Sequence, residues 1–321
     1  MNLTDIANEA GVSIATASKA FSGSREISAA TRERVFEVAK CHGCFDHYNK
    51  NKFDKHVIAV LLPELSEYYT MIGEMLDKEI SKAGGVMLMS TTGFVDVRAE
   101  ELFQYYTAYA HVNGIIMVDT GHSIGNPTHV PAVAFARKKR RYIDSIVLDF
   151  DAGLEAALRH LKALGHTDVG FAGERLTTVK QDAFCRTMRK VGLPLHKKRI
   201  KTTVARFEQA GEELAAEWLA EGELPSAVIT SYDHIAIGMI RYFRHRGVRV
   251  PEDISVIGMD DIPLATYFDN ALSTIRTPTE AACREAVELI MKKIENQHYS
   301  TRRDIVMPAE FVARDTTGKK Q

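Results

Sequence analysis

No apolar run in this chain approaches the ~18 residues that a membrane-spanning helix needs. The start of the chain also lacks the charged-then-apolar pattern of an export signal, because Asn2-Leu3-Thr4-Asp5 leads straight into an amphipathic helix. Cysteine is scarce: Cys41, Cys44, Cys185 and Cys283 are the only four in 321 residues. Together these absences point to a cytoplasmic protein with reduced thiols and no disulfide framework. Neither charge sign is in excess, with 41 Lys and Arg against 42 Asp and Glu and a formal net charge of −1. Any contact with a polyanion therefore depends on where charge is placed, not on how much there is. There is no Gly-x4-Gly-Lys-Ser/Thr phosphate loop, zinc-protease motif or Gly-x-Ser-x-Gly elbow, and no nucleophile–base set, so neither an enzyme nor a cofactor is expected. The chain also has no internal repeat and no low-complexity tract.

The length suggests two or three domains. Residues 1–45 are helical in pattern. Residues 46–56, "DHYNKNKFDKH", are polar, basic and without apolar periodicity, as in a linker. From residue 57 to 321, short apolar runs alternate with amphipathic segments: "VIAVLLP", "VMLMS", "GIIMV", "PAVAFA", "SIVLD", "DVGFAG", "SAVITS" and "ISVIGMDD". Such runs predict parallel strands covered on both faces. They are too many for one sheet of usual size, so the expected fold is an all-α head plus an α/β body of two doubly wound lobes. In such sheets ligands sit at the carboxyl ends of the strands, which makes the cleft between the lobes the expected pocket.

In the head, "LTDIANEAGVSIATASKAFSG" reads as two short helices joined by a turn. Thr4 is the expected N-cap of the first helix, Gly11 its left-handed end, and Ser13 the cap of the second. A third helix follows Ile27-Ser28, with Val35, Phe36, Val38 and Ala39 on its core face. This is the pattern of a helix-turn-helix, whose second helix enters the major groove by its N-terminal end. Ile14 and Ala15 then offer apolar contact to base edges, and Lys19 one turn on is a donor to guanine O6 and N7. The hydroxyls of Ser13, Thr16, Ser18 and Ser28 are placed for phosphates, with Arg25, Arg32 and Arg34 adding charge. Residues 1–55 carry eight Lys and Arg against seven Asp and Glu. One head is therefore expected to bind weakly, and a linked pair far more tightly. On geometry alone, a helical cap or dimerisation head without a DNA role stays open.

"DIANEAGVSIATASKAFSG" with "ISAATRERV" resembles the DNA-binding head of the lactose/galactose repressor (LacI/GalR) family of bacterial transcription regulators. "LKALGHTDVGFAG", "VRVPEDISVIGMDDIPLA", "LSTIRTP" and "MPAEFVARDTT" extend the resemblance over essentially the whole chain. It implies a homodimer on a pseudo-palindromic operator, a body like periplasmic sugar-binding proteins, and a small sugar-like effector that alters operator affinity. A sugar-binding receptor without DNA activity is the other reading, and a leader without a head would favour it. For the effector the resemblance implies Tyr68 or Tyr69 as a stacking ring, Lys180 where most members have Arg, and Tyr232-Asp233 where they have Asn-Asp. It also implies Asp260 as the carboxylate that takes sugar hydroxyls, and Arg137 beside Ala136 where an acid is often found. These departures favour an anionic sugar somewhat over a neutral hexose.

The linker departs further, with Phe53 the one candidate for the minor-groove wedge that the family's hinge helix carries; a plain tether is the equal alternative. "CHGCFDH" has C-x2-C-x2-H spacing but no evident fourth ligand, so ordinary thiols are the expectation. Asp260-Asp261 reads as one ligand contact plus one structural carboxylate, and "ARKKRR" (136–141) as a solvated loop or cleft rim.

Overall fold

The computed structural model describes residues 1–24, 26–48, 55–119, 124, 130–136, 143–267, 270–296 and 301–321. They fall into two units, Met1–His56 and Val57–Gln321.

The first unit is built from α1 (Leu3–Glu9), α2 (Ile14–Phe21), α3 (Ala29–Cys41) and the single turn α4 (Phe45–Tyr48). The N-cap of α1 is Asn2, not the expected Thr4. Asn2 Oδ1 accepts from the Asp5 amide and the Asp5 carboxylate accepts from the Asn2 amide, a reciprocal box that Thr4 cannot form from inside the helix. Gly11 has φ +64, and Ser13 Oγ caps α2 by accepting from the Thr16 amide at 3.0 Å. Ile6, Ala7, Ala10, Ala17, Ala20, Phe21, Val35 and Ala39 form the core. Small residues dominate it, which lets three short helices approach closely. The Phe21 ring stands 5.5 Å from Phe36, 6.2 Å from Phe45 and 5.7 Å from Tyr48. The expected linker start at residue 46 is thus too early, because α4 packs its aromatics under the head.

The second unit contains two six-stranded sheets. The first lobe uses β1 (Val57–Leu62), β2 (Val86–Thr91), β3 (Gly114–Val118), β4 (Ala132–Ala136), β5 (Asp144–Asp149) and β11 (Asp304–Pro308), with α5 (Glu67–Lys82), α6 (Asp96–Ala108) and α11 (Thr279–Glu295). Its strand order is β11-β5-β4-β3-β1-β2, parallel throughout. The second lobe uses β6 (Val169–Glu174), β7 (Ile200–Thr203), β8 (Ala227–Thr230), β9 (Ser255–Met259), β10 (Ser273–Arg276) and β12 (Glu310–Val312). Its helices are α7 (Asp151–Ala163), α8 (Thr178–Val191), α9 (Phe207–Glu221) and α10 (Asp233–His245). Its order is β12-β10-β9-β8-β6-β7, with β12 the antiparallel edge.

Every apolar run read from the sequence is a strand, and the described residues hold four more. β7 escapes a periodicity reading because "IKTT" is short and polar; its Lys201 is buried only by pairing with Glu217 and Glu221. β10 and β12 lie in segments recognised by resemblance and not by pattern, and β11 overlaps one only at Met307 and Pro308. The chain passes between lobes after β5, between β10 and α11, and between β11 and β12. The Ala309 amide donates to the Asp149 carbonyl at 2.8 Å, tying two of these crossings together. Helices α9 and α10 meet through glycines: a Cβ on Gly211 would stand 2.1 Å from the Ile235 carbonyl oxygen, and one on Gly238 2.1 Å from that of Glu208.

Candidate functional site

The head presents one side of α2 to solvent. Ala17, Ala20 and Phe21 face inward, leaving Ala15, Ser18 and Lys19 exposed and Ile14 49% exposed. Ser13 Oγ lies 2.8 Å from Thr16 Oγ1, and Ser28 repeats the arrangement at α3, accepting from the Thr31 amide at 3.2 Å. Two helix N-termini of the head thus carry capped, exposed serines. Lys19 is ion-paired with Glu26. Cys44 Sγ donates to the Ala39 carbonyl, and His42 lies 3.0 Å from Glu9.

Between the two lobes lies a cavity of about 480 Å³ at the carboxyl ends of the strands. Tyr68 and Tyr69, at the start of α5, line it from the first lobe; Lys180, Tyr232, Asp233 and Asp260 line it from the second. The expected residues thus gather in one place, but their polar groups are committed to one another. Lys180, 3% exposed, donates to Asp260 Oδ1 at 2.8 Å and to the Ser231 carbonyl at 2.7 Å. Asp260 and Asp261 both have positive φ, 102 and 55. Their carboxylates diverge, and Asp261 binds Arg276 and Arg314 on the far side. Tyr232 donates to Glu174 Oε2 at 2.9 Å and accepts from the Phe207 amide at 2.9 Å. Burial raises its phenol pKa, assisted by the Glu174 charge. Asp233 is 1% exposed, its carboxylate accepting from Thr274 Oγ1 at 2.6 Å and the Ile262 amide at 2.9 Å. Burial, then the charge of Asp260, raises its pKa well above the ordinary carboxylate value. These bonds tie it to β10 and to the segment after β9.

Several lining residues were not singled out from the sequence. Arg206 donates to Glu64 Oε1 at 2.9 Å across the cleft and to Glu174 Oε2 at 3.2 Å within its own lobe. Its guanidinium lies 4.6 Å from the Phe207 ring centroid and 5.5 Å from that of Phe94, which belongs to the opposite lobe. The bond to Glu64 raises its pKa. His234 adds a second crossing, 2.7 Å from Glu208 and 3.2 Å from Glu67. Asp119 accepts from Tyr69 at 3.2 Å. Glu64, Asp119 and Glu174 stand at or just beyond strand ends, so the strand-end rule reaches them. Arg206 and Phe207 follow β7, the strand that pattern does not reveal. Arg137 and Phe53 lie outside the described residues, as do Arg25 and most of the basic run 136–141.

Residues 2–44 match the family model described as bacterial regulatory proteins, lacI family. Residues 158–317 match the periplasmic binding protein-like domain. Among curated proteins, the HTH-type transcriptional regulator MalR of Streptomyces coelicolor is 27% identical, over 98% of this chain and 96% of its own. Among solved structures, a lac repressor dimer bound to operator and an anti-inducer superposes with TM-score 0.73 at 21% identity, covering 99% of both chains. A complex of the transcriptional regulator CelR with cellobiose gives TM-score 0.69 at 21% identity, over 98% of this chain and 99% of that one.

Proposed function

Since the chain belongs to the lacI family of bacterial regulatory proteins and is a DNA-binding transcriptional regulator, not an enzyme, we propose the following division of labour. Residues 1–48, α4 included, read DNA; the stretch from there to 56 links; residues 57–321 bind an effector and dimerise. Two heads engage a pseudo-palindromic operator in the cytoplasm, most simply as a repressor of carbohydrate uptake or breakdown. The observation that carries this is the exposed side of α2, where Ile14 and Ala15 precede Lys19, in a head with two serine-capped helix ends. Ile14 and Ala15 meet thymine methyls, Lys19 meets guanine, and Ser13, Thr16, Ser18 and Ser28 meet phosphates. Phe53 is proposed as a minor-groove wedge; its replacement by alanine should lower operator affinity and reduce DNA bending.

The effector occupies the cleft, where Tyr68 and Tyr69 offer ring faces and edges. Among the described residues both cations, Lys180 and Arg206, are already matched by carboxylates. That weighs against an anionic sugar and supports a neutral, hydroxyl-bearing ring, which can exchange hydrogen bonds with Asp260, Asp119 and Glu174 without leaving a charge buried. The CelR–cellobiose neighbour is in keeping with a sugar effector. The experiment is a thermal-shift screen of neutral and acidic sugars, followed by operator binding with each hit. Stabilisation by a neutral sugar that also changes operator affinity supports the reading. Stabilisation by acidic sugars only would overturn the choice of a neutral ligand.

A further inference from the structure

Lys19 and Glu26 form an ion pair on the exposed side of the head, with side chains 52% and 70% exposed. They are seven residues apart on different elements, so helical spacing does not explain the contact. The turn between them does. The Ser24 amide donates to the Lys19 carbonyl at 3.1 Å as α2 ends. Arg32, from α3, donates to the Ser24 carbonyl at 2.6 Å, and the Glu26 amide donates to Ser24 Oγ at 3.3 Å. These bonds fix the turn against α3 and set the carboxylate beside the ammonium. The bond to Lys19 holds the Glu26 carboxyl below its ordinary pKa, so it is charged at neutral pH.

An exposed pair of this kind adds little to folding. On a DNA-facing surface it also forfeits the attraction a lone lysine has for every phosphate. What it offers instead is a donor and an acceptor side by side. A G·C pair presents the complementary order in the major groove, O6 and N7 acceptors on guanine and then the N4 amino donor on cytosine. C·G presents the opposite order, with an amino group against the ammonium and a carbonyl against the carboxylate; A·T keeps the N7 acceptor but replaces O6 by an amino group and sets thymine O4 against the carboxylate. T·A keeps the order but puts a methyl where guanine has N7, so the cation loses one acceptor.

We propose that Lys19 and Glu26 read one G·C base pair as an intact unit, Lys19 on guanine and Glu26 on the cytosine amino group, which makes Glu26 a specificity-determining residue. This rests on the placement of Lys19 at base edges given above. The test selects duplexes from a randomised pool with the full-length protein and its Glu26→Ala and Lys19→Ala variants. Thermal melts confirm that each variant is folded. Glu26→Ala is expected to cut the preference for G·C by about tenfold at one position of each half-site, and to bind unrelated DNA more tightly. Lys19→Ala should lose the preference at that same position and bind all DNA more weakly. If Glu26→Ala keeps every base preference while Lys19→Ala loses one, Glu26 only repels phosphate and the inference falls, though the reading of Lys19 stands. If Lys19→Ala also leaves every preference intact, both fall.

Discussion

Asp233 shows how a residue can match a family's ligand-binding pattern and still serve the fold. Its carboxylate is buried, bonded to Thr274 and Ile262, and its pKa is raised by burial and by Asp260. A raised folded-state value means that its stabilising contribution is complete below the unfolded carboxylate pKa of about 4 and is lost as pH rises through the folded value. Asp233→Asn, which cannot ionise, should therefore cost more stability at pH 5 than at pH 8 in denaturant titrations. An equal cost at both would show that the carboxyl is ionised throughout. His166 has the opposite sign. Burial lowers its pKa while Nε2 donates to the Gly318 carbonyl at 2.9 Å. Its contribution is complete above about pH 6.5 and fades as pH falls through the folded value. Protection factors near Gly318, with the intrinsic pH dependence of exchange divided out, should fall between pH 7 and pH 5, and His166→Gln should remove most of that fall.

The first three helices of the head were legible because each begins with a serine or asparagine whose bond is local, and local bonds are written in adjacent residues. The misplaced cap at Thr4 was an error of two positions within that same chemistry. β7 and the cleft residues after it were not legible, since "IKTT" has neither alternation nor an apolar run and its buried lysine is paid for by Glu217 and Glu221 from another element. Likewise nothing near Arg206 in the sequence announces that its partner Glu64 is 142 residues away. The α9–α10 contact is similar: Gly211 and Gly238 look like helix-weakening residues until backbone proximity explains them. Adding a methyl at either forces backbone atoms apart, and Gly211→Ala or Gly238→Ala should each cost at least ~1–3 kcal/mol, read from urea midpoints. The same substitution should disturb Phe207 and Tyr232, which these helices carry into the cleft.

In the effector-binding unit the two lobes are joined by three chain crossings and by side chains that reach across the cleft. Arg206 is chief among the latter, with a carboxylate and a phenyl ring from the opposite lobe on either side. Arg206→Ala should leave the lobes folded but loosen their closure. Hydrogen exchange would then rise in the segments around residues 64–69 and 206–208 and stay unchanged in the sheet cores. An effector that reorganises these contacts has a direct path to the crossings, and through lobe closure to the separation of the two linkers in a dimer. On the proposed reading, the near-neutral head makes a linked pair of heads necessary, because one copy of α2 has too little charge to hold DNA unaided. The most direct test is selection of duplexes from a randomised pool by the full-length protein. The account predicts strong enrichment of an inverted repeat of two like half-sites, lost when either half is scrambled. Enrichment no better than the starting pool, or of a single unrepeated half-site, would contradict it.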